Sequence, residues 1–222
     1  MSAPEKMRDF FKARVDGYDE HMRLNVDGFK QIYTVVVDPI EQTQKAVRVL
    51  DLGCGTGLEL GAVFQKAPNA CVTGIDLSPE MLDRLAEKYT DKKKQIFLRF
   101  GSYLEFPFPE KKYDYALSVM TLHHLTKVEK MTVYRKILNT LKDDGIYIEA
   151  DYVVSASEET DRFKHYLEIK ETYDIKDMQN YHVDIPFSKK TQIQLFNQVG
   201  FKHVEVILEL ENACIFKCQK TL

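Results

Sequence analysis

No run of this 222-residue chain approaches the roughly 20 consecutive apolar residues that span a bilayer, so a function within the membrane is not expected. The opening residues, Met1 to Arg14, are too charged to form the apolar centre of a signal peptide. Cysteine is scarce: Cys54, Cys71, Cys214 and Cys218 contain no Cys-x-x-Cys pair and read as reduced thiols. The expected location is therefore the cytoplasm. Cys214 and Cys218 share one strand face, but four residues of strand hold them too far apart for a disulfide. Charge of one sign is lacking too. The 31 Lys and Arg against 34 Asp and Glu leave a formal charge of −3, which gives no global attraction to nucleic acid. The short run Lys92-Lys93-Lys94 reads as a solvated loop. Internal repeats and low-complexity linkers are absent.

What is present is an alternation. Val47–Leu52, Ala70–Ile75, Ile96–Phe100, Tyr113–Val119 and Gly145–Tyr152 are short, apolar, β-rich runs. Helical candidates lie between them at Leu58–Lys66, Pro79–Thr90 and Lys127–Leu141. Ser78-Pro79 supplies an N-cap followed by a first-turn proline, and Thr126 with Glu129 fits a capping box. Short links between alternating strands and helices imply a doubly wound α/β fold with its ligand at the carboxyl ends of the strands. Ahead of this core, Phe11, Val15, Tyr18 and Met22 recur at helical spacing, and a second helical segment covers roughly Val26 to Lys45. Behind it, Ser155–Pro186 is charged and rich in tyrosine. A helix at Ser188–Val199 then precedes Lys202–Leu210 and Ala213–Cys218, whose two-residue link makes them an antiparallel hairpin. The expected organisation is one domain: a helical cap to residue 45, a cofactor-binding core over 46–152, a substrate cap over 153–187, and a closing helix and hairpin.

The densest signal is Val49-Leu50-Asp51-Leu52-Gly53-Cys54-Gly55-Thr56-Gly57-Leu58. A buried strand breaks there into alternating glycines, which let a ligand approach bare backbone. A dinucleotide fold would place a third glycine where Leu58 stands, so a pyrophosphate on that helix end is disfavoured. Asp76, at the end of the second strand in Gly74-Ile75-Asp76-Leu77-Ser78-Pro79-Glu80-Met81-Leu82, can accept hydrogen bonds from a ribose diol. Leu77 and Met81 offer apolar surface for an adenine. S-adenosylmethionine, which has no phosphate, fits this set.

These stretches resemble the first two motifs of the class I S-adenosylmethionine-dependent methyltransferases. Tyr113–Leu125 is similar to the fourth strand and following loop of the small-molecule branch, and Leu141–Ile148 to the fifth strand and its entry. The resemblance implies a mostly parallel seven-stranded sheet ending in an antiparallel hairpin. It also implies that Asp51 helps hold the methionine amino group, that Gly53, Gly55 and Gly57 touch the cofactor through backbone, and that Asp76 holds the ribose. The family usually has Gly-Asp after the third strand, near the adenine amino group. This chain has Gly101-Ser102, so Ser102 and the backbone at Tyr103 are the candidates there, with Val119 beside them. Tyr18 matches a Tyr-Asp pair that folds over the cofactor in related enzymes, and Arg14 and Arg23 are candidates for the cofactor carboxylate.

The expected reaction is in-line methyl transfer to a small-molecule acceptor, leaving S-adenosylhomocysteine. Positioning alone supplies much of such a rate enhancement. His124 is the candidate proton acceptor. No metal is expected, because adjacent His123 and His124 should diverge, one toward the cavity and one toward the sheet, and no nearby carboxylate completes a ligand set. Three alternatives stay open: use of a carboxylated S-adenosylmethionine in transfer-RNA modification, a cofactor-binding module without catalysis, and a nicotinamide oxidoreductase. Neither a membrane nor a nucleic-acid partner is expected. The apolar stripe of the N-terminal helix can serve either a homodimer contact or closure over the cofactor.

Overall fold

The computed structural model describes residues 3–221. Its centre is a twisted sheet built from β1 (Arg48–Leu52), β2 (Cys71–Asp76), β3 (Ile96–Phe100), β4 (Tyr113–Val119), β5 (Leu141–Val154), β7 (His203–Glu209) and β8 (Ala213–Gln219), in the order β3-β2-β1-β4-β5-β8-β7. The first five strands pair in parallel, while β8 pairs antiparallel with both β5 and β7. A two-residue β6 (Phe187–Ser188) pairs with the end of β5. This is the expected sheet.

Period-two alternation explains why both faces are covered. Val49, Leu117 and Ile148 enter one core, whereas Leu50, Leu52, Ala116 and Tyr147 enter the other. The first core is closed by α3 (Phe29–Val35), α4 (Leu60–Lys66) and α5 (Pro79–Lys88) through Ile32, Leu60, Val63, Leu82 and Leu85. The second is closed by α6 (Lys127–Thr140) and α8 (Lys189–Val199) through Val133, Tyr134, Ile137, Leu195 and Phe196. The strand order reverses beside β1, between β2 and β4, which opens a crevice at their carboxyl ends.

The ends of the chain differ from the sequence-based expectation. The N-terminal helix is broken into α1 (Met7–Lys12), a 3-10 turn (Val15–Gly17) and α2 (Tyr18–Asn25). At the break, the Arg14 side chain folds back over the Phe10 ring and donates to the Phe10 carbonyl (2.8 Å). The expected segment 26–45 is helical only over α3. The tyrosine-rich stretch contains α7 (Ala156–Thr172), started by a capping box between Ser155 and Glu158, and then an irregular strap leading to β6.

Two sets of contacts fasten the N-terminal helices. The ion pairs Lys12–Glu80, Asp16–Arg84 and Asp19–Lys88 run along α5, and Thr56 in the glycine turn donates to Asp19. The strap is tied to the segment before α1 by Met7 N–H to Asn180 O (2.7 Å) and His182 N–H to Glu5 O (2.9 Å). Among the described residues, no helix is long and apolar enough to cross a membrane.

Under the second core lies a buried polar cluster. Glu149 on β5 accepts from Tyr134 (2.8 Å), Tyr147 (2.6 Å) and Gln192 (2.5 Å), and Lys130 lies 3.5 Å from it and 3.6 Å from Asp151. Lys130 is 1% exposed. Replacing it by Met strands two buried carboxyls, so Lys130→Met should lower the unfolding free energy in urea by about 3–5 kcal/mol without changing the slope. A loss under about 1 kcal/mol would mean that the tyrosine and Gln192 donors satisfy Glu149 unaided.

Candidate functional site

The crevice at the carboxyl ends of β1 and β4 deepens into a partly open cavity. It is walled by Gly53 and Gly55 of the turn, Asp76, Leu77 and Met81 from β2 and α5, Ser102–Leu104 after β3, and Met120, Thr121, His124 and Leu125 after β4. Met7, Phe11 and Tyr18 from the N-terminal helices and Gln179 from the strap close it.

The turn's geometry is imposed by what surrounds it. Gly53 has φ +65°, and a Cβ there would sit 2.1 Å from Thr121 Oγ1. Gly55 has φ +48° and faces open space, with only the Tyr18 ring 4.0 Å from where a Cβ would be. The turn therefore presents bare backbone to the cavity. Asp76 pins it from the next strand: Oδ2 accepts from Gly55 N–H and Oδ1 from Ser78 N–H, both at 2.8 Å. Burial raises the Asp76 carboxyl above its usual range, and the amides of Ser78, Gly55 and Leu77 oppose that rise. Each oxygen keeps acceptor capacity for a diol in the cavity. Met120, on the opposite wall, holds φ +51°, a conformation rare for a side-chain-bearing residue.

Beneath the turn lies the most unusual electrostatics of the molecule. Asp51 Oδ2 and Glu59 Oε1 are both buried, and neither has a hydrogen-bond donor. Burial, then the neighbouring Glu59, pushes the Asp51 carboxyl well up, and burial raises Glu59 as well. Two adjacent carboxyls shut away from water retain a proton unless a cation joins them. An ammonium group suits that vacancy in charge and in hydrogen bonding. A narrow void bordered by Tyr18, Tyr33, Gly53, Gly55, Glu59 and Val119 lies next to them.

The residues singled out in the sequence are placed as follows. Tyr18, Gly53, Gly55, Asp76, Leu77, Met81, Ser102 and Tyr103 line the main cavity, and Val119 borders the narrow void. Asp51 lies buried at the end of β1. Gly57 lines neither space. Its carbonyl accepts from Tyr89, and Leu60 and Leu85 crowd its α-carbon, so it serves the turn and the packing of α5. Ser102 spends its hydroxyl on the Leu104 amide (3.2 Å), while the Tyr103 hydroxyl donates to the Thr121 carbonyl. Arg14 lines a neighbouring cavity, paired with Glu5 at 3.2 Å. Sequence reasoning missed Glu59, which reads as an ordinary acid at a helix start. It also missed Phe11, Thr121 and Gln179, whose approach depends on tertiary closure.

The histidines correct an expectation. His123 and His124 do not diverge, because residues 122–124 form a 3-10 turn rather than extended chain. Both rings face Asp184 of the strap, with His123 Nε2 at 3.7 Å and His124 Nδ1 at 3.0 Å from Oδ1. The expected lack of a nearby carboxylate also fails, since Asp184 arrives from 60 residues downstream. His123 Nδ1–H donates to Asp151 Oδ1 at 2.6 Å. Burial opposes a charge on His123, but Asp151 outweighs it and raises the ring's pKa. Burial and the adjacent His123 lower that of His124 to about 4.

A methyltransferase-domain family model matches residues 49–145. The carboxy-S-adenosyl-L-methionine synthase of Nautilia profundicola is 22% identical over 96% of this chain and 94% of that protein. An uncharacterized methyltransferase of Geobacillus thermodenitrificans is 30% identical over 66% of this chain and 64% of its own length. A solved structure of an S-adenosylmethionine-dependent methyltransferase candidate from Methanococcus maripaludis shares the fold, with a TM-score of 0.66 at 19% identity, covering 100% of this chain and 98% of that one.

The acid pair gives this site a pH signature. Burial of Asp51 beside Glu59 favours a shared proton and an ammonium favours the ionised pair, so binding should release a proton. Affinity for S-adenosylhomocysteine should then rise with pH from the ordinary carboxylate range of about 4 up to the raised value of the pair, below about 8 where the amine titrates. Calorimetry in two buffers of different ionisation enthalpy should read the released proton, and Asp51→Asn should weaken binding and abolish the release. Binding with no proton released and no pH dependence would place the ammonium elsewhere.

Proposed function

Because the chain belongs to the class I S-adenosylmethionine-dependent methyltransferases, we propose that it transfers a methyl group by in-line displacement to a small molecule held between the N-terminal helices and the strap. S-adenosylmethionine is its cofactor. When bound, the cofactor supplies a methyl group already activated by the sulfonium. The acid pair and Asp76 fit its ammonium and ribose, and the apolar walls of Leu77 and Met81 fit its adenine.

The observation that carries the reading is a second cavity opening beside the first. It is half open to solvent and is bordered by Phe10, Arg14, His21, Tyr152 and His182 among others. The two cavities share Phe11, Tyr18, Met120 and His124. An acceptor there would meet the cofactor across these four side chains, with α1 and the strap at its border. Tyr18 stays a neutral phenol, since burial and then Asp76 hold its pKa far up. Alignment of two reactants in such a site accounts for about 7–11 kcal/mol of a barrier. His124, at the passage between the cavities, orients the acceptor in its neutral form.

A second reading, handling of a carboxylated cofactor, is favoured by the end-to-end match to the Nautilia profundicola synthase. The cavity chemistry favours the first. Among the described residues, neither Lys nor Arg lines the cofactor cavity, so an added carboxylate would lack a full positive partner there.

Mass spectrometry of small molecules released from the purified protein decides between the two. Unmodified S-adenosylmethionine or S-adenosylhomocysteine is expected, with further S-adenosylhomocysteine formed when a low-molecular-weight cell filtrate is added. A released cofactor heavier by one carbon dioxide would replace the first reading with the second. Tight cofactor binding without turnover would leave a binding module.

A further inference from the structure

Asp184 Oδ1 is a buried oxygen with no hydrogen bond of acceptable geometry, although three imidazoles surround it. His124 Nδ1 lies 3.0 Å away, His123 Nε2 3.7 Å and His182 Nε2 4.0 Å. The His123 ring is oriented by its Nδ1–H bond to Asp151, which turns its Nε2 toward Asp184. That nitrogen, Nδ1 of His124 and the Asp184 oxygen thus face one point. A carboxylate behind a histidine that presents its other nitrogen is also the arrangement that orients metal-bound imidazoles.

We propose that His123, His124 and Asp184 bind one divalent transition-metal ion of the zinc class, open on its remaining side to the acceptor cavity. Two imidazoles and a carboxylate are a suitable ligand set for such an ion, and three protein ligands leave a position free. The three donor atoms lie within 4.8 Å of one another. Ligands of a bound ion at about 2.0–2.1 Å stand about 3–3.5 Å apart, so the site closes by roughly 1 Å of side-chain movement. The anchorage for that movement is present: Ile185 N–H donates to the His123 carbonyl (2.8 Å), joining the strap to the histidine turn. Arg14, the one guanidinium lining this cavity, is held by Glu5 and the Phe10 carbonyl. With Nδ1 of His124 on the ion, that ring no longer accepts a proton. A bound ion would lower the pKa of an acceptor hydroxyl at its open position and so favour the alkoxide that attacks the methyl group. That role rests on the acceptor cavity of the proposed reaction; the binding of the ion does not.

The test uses untagged full-length protein, stripped with a chelator and titrated calorimetrically with Zn²⁺, with S-adenosylhomocysteine binding measured on the same samples. One equivalent of Zn²⁺ should bind in the micromolar range or tighter. Asp184→Ala should abolish this binding while retaining S-adenosylhomocysteine, because the Asp184 side chain is 43% exposed and its loss opens no core. Asp151→Asn should weaken Zn²⁺ about 10–100-fold. Absence of stoichiometric binding, or binding unchanged in Asp184→Ala, would overturn the site. Should Asp184→Ala lose S-adenosylhomocysteine as well, His123→Gln decides by the same two readouts. Failure of Zn²⁺ alone leaves the methyltransferase reading intact, whereas failure of S-adenosylhomocysteine alone removes that reading and not the ion site.

Discussion

Two adjacent carboxyl groups shut under a glycine turn, each with one oxygen that lacks a donor, are the constraint on which the rest of the site depends. Asp51 ends a strand buried on both faces, and Glu59 stands at the start of α4, so neither can turn to water. Only a proton or a cation relieves them. The turn above admits a ligand because Gly53 and Gly55 keep Cβ atoms out of its path, and Asp76 fixes the turn through Gly55. The buried acids below the turn and Asp76 beside it thus lie around one short stretch of backbone.

Closure over that stretch comes from the chain's least regular parts. Three ion pairs attach α1, the 3-10 turn and α2 to α5, and backbone bonds attach the strap to residues 5–7. Exposed pairs of this kind contribute little stability singly. Their effect is geometric: they bring Phe11 and Tyr18 over the glycine turn and His182 beside Asp184. The second cavity is bordered by both covers, through Phe10, Phe11 and Tyr18 on one side and His182 and Asp184 on the other.

The parallel core was readable because each of its signals is local. Apolar strand runs of five to eight residues, Ser78-Pro79, the Thr126 capping box and the glycine turn each need only neighbouring residues to act. β5 reaches farther than its apolar run, because Leu141 pairs with Tyr113 ahead of an irregularity that spans residues 142–145. What stayed hidden depends on distance in sequence. The N-terminal helix breaks where Asp16 and Asp19 reach Arg84 and Lys88 of α5, and the convergence of His123 and His124 follows from a 3-10 turn meeting a strap 60 residues later. Glu59 carries no local mark that separates a buried acid from a solvated one. Gly57 illustrates the converse: it belongs to the motif, yet its place is in packing against Leu60 and Leu85.

The central claim is that one ligand joins the acid pair, the glycine turn and the N-terminal cover. Amide hydrogen exchange with and without saturating S-adenosylhomocysteine tests it most directly. The account predicts slowed exchange in two separate stretches, residues 53–57 and residues 7–25, because the ligand fills the space between them. Slowed exchange confined to regions outside both stretches, or none at saturation, would contradict it.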